Sequence, residues 1–230
     1  MDRGACAPGG GPGHQRGTLA GMSPTLEHHT LVVAARGSGQ DRAAVRDLGE
    51  ELRVALADGA GGTGAGAKAA DLVVAAATGT EARIEAARLL DQLEAAVAVT
   101  GGQATAVVLQ VSGAGVRGAS VGDSQAWVVR PGEVDELTRG QVRKPLVGAG
   151  CRPVAFAAPA LGDGVLLVAS DGLFSYAPGA EVLRIVRAGG ELAAMAKALV
   201  ELVRLRSGAL TDDVSVVLVR EAQVEYQAAR

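Results

Sequence analysis

The stretch Glu51-Leu52-Arg53-Val54-Ala55-Leu56-Ala57-Asp58, followed at once by Gly59-Ala60-Gly61-Gly62, decides how the chain is read. Its first residues alternate polar and apolar and then turn apolar, the pattern of a strand running into a core. The glycine-rich turn over 59–66 stops that strand, and two helical stretches follow. One spans roughly 65–78. The other, EARIEAARLLDQLEAAV over 81–97, has apolar residues at i, i+3 and i+4.

Outward from this unit the pattern changes period. On the N-terminal side, Thr30-Leu31-Val32-Val33-Ala34-Ala35-Arg36 is a short β-like run, and residues 1–26, rich in Gly and Pro, read as a disordered tail. On the C-terminal side, residues 103–112, 115–122, 124–130 and 133–138 are strand-like runs separated by Ser/Gly or Pro-Gly turns, as in an antiparallel meander. Beyond a glycine-rich loop, residues 164–170 read as a buried strand, 179–188 and 190–206 as helices, and 214–219 as a closing strand. Helix pairs set between groups of antiparallel strands predict an α+β layered sandwich, with 27–230 as one domain.

Composition narrows the function classes. The 230 residues hold 22 basic and 25 acidic side chains, a formal charge of −3. No basic face or aromatic–basic interleaving argues for nucleic acid. Aromatics are only 2% of the chain, so Ala, Val and Leu must fill the core. Cys6 and Cys151 are too few and too far apart for a disulfide scaffold or a zinc site. The first residues carry no apolar signal segment, and no run approaches the roughly 18 apolar residues that cross a bilayer. A cytoplasmic protein without a membrane partner is expected.

The chemistry-bearing residues are aspartates. Asp58, Asp123, Asp171 and Asp212 each read as sitting where an apolar strand-like run stops, and Asp41 follows the first strand after a short turn. Buried strands bring such residues to one rim of a sheet, where two close carboxylates repel by about 4 kcal/mol at an effective dielectric near 20. Each Asp taken singly reads as a turn or a helix cap. Taken together they favour a hard divalent cation, and an all-oxygen ligand set suits Mg²⁺ or Mn²⁺ better than zinc.

At these residues the sequence resembles the type 2C (PPM) family of metal-dependent Ser/Thr protein phosphatases, over roughly residues 30–220. Arg36-Gly-Ser-Gly-Gln-Asp41 looks like its opening Arg-x-x-x-Glu-Asp element, and Ala57-Asp-Gly-Ala-Gly-Gly62 like its Ala-Asp-Gly-x-Gly-Gly turn. Gly102-Gln-Ala-Thr-Ala106 resembles its Gly-Ser-Thr-Ala strand, and Val121-Gly-Asp-Ser-Gln-Ala126 its Val-Gly-Asp-Ser-Arg-Ala hairpin. Leu167-Val-Ala-Ser-Asp-Gly-Leu-Phe174 and Thr211-Asp-Asp-Val-Ser-Val-Val217 are similar to its last two acidic motifs.

The resemblance implies an αββα sandwich of two antiparallel sheets flanked by helices, acting on phosphoprotein substrates opposite a Ser/Thr kinase. It implies that Asp58 bridges two Mn²⁺ or Mg²⁺ ions and that the Gly59 carbonyl is a further ligand. Asp171 and Asp212 complete the ligand set, with Asp41 acting through coordinated water. Arg36 holds the substrate phosphate, and Asp123 with Asp171 matches a third, weaker metal position. Two cations roughly 3.5–4 Å apart lower the pKa of a shared water and hold the attacking and leaving oxygens in line. That chemistry needs no covalent nucleophile, and none is evident here.

The sequence departs from the family's pattern in four places. Gln40 replaces an acid, Asp213 stands where Asn is usual and so competes with Asp212, and Ala60 stands where some members carry His. The stretch from Asp123 to Asp171 is short, so the flap beside the site is expected to be reduced or absent. His14, His28 and His29 lie before the first strand-like run and read as tail or turn residues; Arg143 and Lys144 read as a solvated loop. Gly59, Gly61 and Gly64 satisfy G-x-G-x-x-G, but a pyrophosphate there would face Asp58, and a Walker loop lacks its Gly-Lys pair. The remaining rival is a non-catalytic phosphoprotein-binding module of the same fold.

Overall fold

In the computed structural model, which describes residues 25–79 and 85–222, the chain opens with strands β1 (Leu26–Val33), β2 (Arg42–Asp47) and β3 (Glu51–Ala57). The two-residue strand β4 (Gly59–Ala60) and one 3₁₀ turn (Gly62–Gly64) lead into helices α1 (Ala65–Gly79) and α2 (Ala86–Val99). Then come β5 (Gln103–Ala104), β6 (Ala106–Ser112), β7 (Gly115–Val121), β8 (Gln125–Arg130) and β9 (Glu133–Glu136). Strands β10 (Val154–Ala158) and β11 (Val165–Ala169) follow, then helices α3 (Asp171–Phe174), α4 (Gly179–Ala188) and α5 (Leu192–Leu202), and finally β12 (Val214–Glu221). Residues 1–24 of the tail expected over 1–26, with Cys6 and His14, lie outside the described residues, as do positions 81–84 of the expected second helix.

Two five-stranded antiparallel sheets form, ordered β1-β12-β11-β8-β9 and β10-β7-β6-β3-β2. Period-two alternation explains how they stack. In β3, Leu52, Val54 and Leu56 point one way, into a cluster with Val107 and Leu109 of β6, Val128 of β8, Leu166 and Val168 of β11, and Val217 and Val219 of β12. This is the layer between the sheets. The alternate residues Ala55 and Ala57 face α1 and α2 together with Ala69, Ala70, Val73, Leu90 and Ala106. Val165, Leu167, Val216 and Leu218 face α4 and α5 on the other side, against Val182, Met195 and Leu199. The four-layer αββα order follows, and small alanines let α1 lie close on its sheet.

Several expectations are corrected. The first strand begins at Leu26, and His28 and His29 lie within it, because β1 pairs along its whole length with β12. Arg42–Asp47 and Val154–Ala158 are strands that composition concealed: both lie at sheet edges and carry few bulky apolar residues. The connection from β9 to β10 over 137–153 contains no helix. Glu94 of α2 fastens this connection, accepting the N–H groups of Gly148 at 3.0 Å and of Gly150. The glycine motif at 59–64 leaves an antiparallel strand, with no parallel crossover of the dinucleotide-binding kind. No described helix is long and apolar enough to cross a membrane.

Candidate active site

Antiparallel register assembles the site. The last residue of β3, Ala57, pairs with the first of β2, Arg42, so Asp58 and Asp41 leave the same rim. Ala169 of β11 pairs with Val216 of β12, which puts Asp171, just past one strand, beside Asp212, just before the other. Asp41 and Asp212 thus stand at strand beginnings rather than ends. In an antiparallel sheet the two kinds of terminus share an edge.

Asp41 is 2% exposed, and its Oδ2 makes no hydrogen bond. Burial raises its pKa against the pull of Ser170, Ser215 and Asp58. The Ser215 Oγ nevertheless completes no hydrogen bond of good geometry. Asp58 is pushed up to about 9, first by burial and then by the charges of Asp41, Asp171 and Asp212. Its backbone is held firmly. The Asp58 N–H donates to Thr105 Oγ1 at 3.0 Å, and its carbonyl accepts from the Thr105 N–H at 2.8 Å.

Asp171 opens α3 and is pushed up to about 6 by burial and by Asp123, Asp212 and Asp41, with Arg143 pulling the other way. Asp123, in the β7–β8 turn, is held by Arg143, whose Nη2 lies 2.7 Å from Oδ2. Sequence reasoning left Arg143 as a solvated loop residue, and the structure makes it the partner of an expected metal ligand.

The competition between Asp212 and Asp213 is resolved by hydrogen bonding. Asp213 Oδ1 accepts the Ala35 N–H at 2.7 Å, and Oδ2 accepts the N–H groups of Gln40 at 2.5 Å and Asp41 at 3.4 Å. Its carboxylate is therefore committed to the turn between β1 and β2. Asp212 is exposed, and its Oδ1 accepts only the neighbouring Asp213 N–H at 2.9 Å. Arg36 sits exposed on the turn that Asp213 braces. The Gln40 side chain lies against Gly66, with Oε1 buried and unpartnered. A Cβ on Gly59 would come within 2.2 Å of the Gly66 carbonyl oxygen, so only glycine lets α1 start this close to Asp58. Ala60 is exposed.

The expected list missed a layer of buried hydroxyls. Thr105 Oγ1 and Ser124 Oγ are 2.7 Å apart and join the backbone of Asp58 to the turn carrying Asp123. Ser170 Oγ accepts the Ser215 N–H at 3.0 Å, joining the segments of Asp171 and Asp213. The only signal for these residues was position: Ser124, Ser170 and Ser215 each stand within two residues of a singled-out aspartate.

These residues fit a hard cation. The donors are all oxygen, one buried carboxylate oxygen is orphaned, and mutual repulsion drives protonation that a divalent ion would relieve. Among the described residues, no three His, Cys, Asp or Glu side chains stand in ready-made ligand spacing.

The architecture is that of the bacterial serine/threonine phosphatases. The catalytic domain of the serine/threonine protein phosphatase PstP, solved with two manganese ions, aligns with a TM-score of 0.72 at 24% identity, covering 88% of this chain and all of its own. The S. agalactiae serine/threonine phosphatase aligns with a TM-score of 0.70 at 20% identity, covering 86% of this chain and 100% of its own. PppA, a key regulatory component of the type VI secretion system in Pseudomonas aeruginosa, gives 0.72 at 20%, covering 87% and 100%. No protein-family model and no curated protein sequence matches the chain.

Proposed function

We propose that the chain is a metal-dependent protein serine/threonine phosphatase of the type 2C kind, hydrolysing phosphoserine and phosphothreonine monoesters. The observation that carries this reading is that Asp41, Asp58, Asp171 and Asp212 reach one rim from four separate segments, where burial first, and then the charges of Asp41, Asp171 and Asp212, push Asp58 up to about 9. Asp58, Asp171, Asp212 and the Gly59 carbonyl would hold two Mn²⁺ or Mg²⁺ ions. When bound, such ions supply an activated water and neutralise phosphoryl charge.

The chain's own groups do the rest. Arg36, exposed on a turn braced by Asp213, offers a planar fork of donors to the substrate phosphate. Asp41, buried and in contact with Asp58, would act through water held by a bound ion. With Ala60 at the position of the family's His, solvent protonates the leaving alkoxide. A phosphoprotein substrate and an opposing kinase belong to this reading.

A second reading, a phosphoprotein-binding module without turnover, draws support from Gln40, whose amide lies against Gly66 where an acid is usual. Hydrolysis of p-nitrophenyl phosphate and a phosphothreonine peptide, with Mn²⁺, Mg²⁺ or EDTA, separates the two. The phosphatase reading expects metal-dependent turnover that EDTA abolishes. A folded, Mn²⁺-binding chain that turns over neither substrate gives the site to the second reading.

A further inference from the structure

Asp123 is where the family resemblance implies a third metal, shared with Asp171. The geometry points to a different occupant. Arg143 sets Nε 3.2 Å and Nη2 2.7 Å from the same carboxylate oxygen, Oδ2. Both residues line an open groove of about 330 Å³, with Gln125, Gln141, Asp171 and Phe174 also on its walls. Asp123, Asp171 and the guanidinium of Arg143 thus open onto the same groove.

We propose that Arg143 is the resident cation at Asp123, so that the centre is built for two metal ions and not three. This rests on the two-metal reading above. A guanidinium stays charged at every physiological pH, so the charge it supplies does not depend on metal concentration. A divalent ion entering beside Asp123 would meet a fixed positive charge and find one carboxylate oxygen already engaged. The Arg143 side chain is 76% exposed, so the pair adds little to fold stability. Its effect falls on the third ion. The segment carrying Arg143 belongs to the short β9–β10 connection, so the shortening of that stretch and the placing of a cation there go together.

The test counts Mn²⁺ bound to the full chain by equilibrium dialysis, with electron paramagnetic resonance of the free ion, at millimolar Mn²⁺. Wild type is expected to hold two ions, Arg143→Gln three, and Asp123→Asn two. Three ions on wild type, two on Arg143→Gln, or the loss of an ion in Asp123→Asn would each overturn the assignment. Fewer than two ions on wild type would instead strike the two-metal reading itself.

Discussion

A single carboxylate can be worth more as a brace than as a ligand, and Asp213 is such a case. Three backbone N–H groups converge on it, from Ala35, Gln40 and Asp41, and they set the turn that presents Arg36 and Asp41. Removing it leaves donors unsatisfied, at a cost of about 1–3 kcal/mol for a buried group. Asp213→Ala should therefore lower stability by about that amount in urea unfolding and raise KM for a phosphopeptide. Asp213→Asn, which keeps one carbonyl acceptor, should fall between Ala and wild type. Equal behaviour of the two variants would remove the bracing role. The sequence could place Asp212 and Asp213 as neighbours but could not divide their labour. That division depends on amides more than 170 residues away in the chain.

Among the elements, the junction of β3, β4 and α1 is tightly constrained. Gly59 touches the carbonyl of Gly66, and a methyl there would have to displace backbone, since the nearest atoms are not side-chain ends. Gly59→Ala should cost about 1–3 kcal/mol, the usual scale of overpacking, and it should weaken Mn²⁺ binding by shifting Asp58. A variant with wild-type stability and metal affinity would mean that the junction has slack. The Val- and Leu-rich strands β3, β6, β11 and β12 were legible in the sequence, because short apolar runs bounded by turn residues are a strong strand signal. β2 and β10 were not, since RAAVRD and VAFAA owe their strand character to their neighbours β3 and β7.

For the whole molecule, the site is a concentration of like charge held together by the packing of two sheets. In the metal-free protein, Asp58 has a folded pKa of about 9 against 3.8 for an ordinary carboxyl. A raised folded pKa means that the folded state binds more protons than the unfolded chain between those values, so stability falls as pH rises through that window. With EDTA, Tm should climb as pH is lowered from 9 toward 6. With Mn²⁺ the slope should flatten and the stabilisation should be larger at high pH, because the cation takes over the role of the proton. A metal-free Tm that rises with pH would refute the raised pKa of the buried Asp58. The all-oxygen character of the site was legible from five aspartates in order. Its hydroxyl supports and the Arg143 contact were not, because they depend on side-chain approach between segments far apart in sequence.

The low aromatic content has an optical consequence. Trp127 is the single tryptophan of the chain, and its ring lies 4.6 Å from that of Phe174, at the far end of the one-turn helix that Asp171 begins. Its indole N–H donates to Gln125 Oε1 at 2.9 Å, on the wall of the groove beside Asp123. Excited beyond the absorption of its two tyrosines, the protein therefore emits from one lamp, mounted next to the candidate metal rim and packed with α4 and α5. Ion loading or a disturbance of α3 should therefore change that one signal without any label being attached.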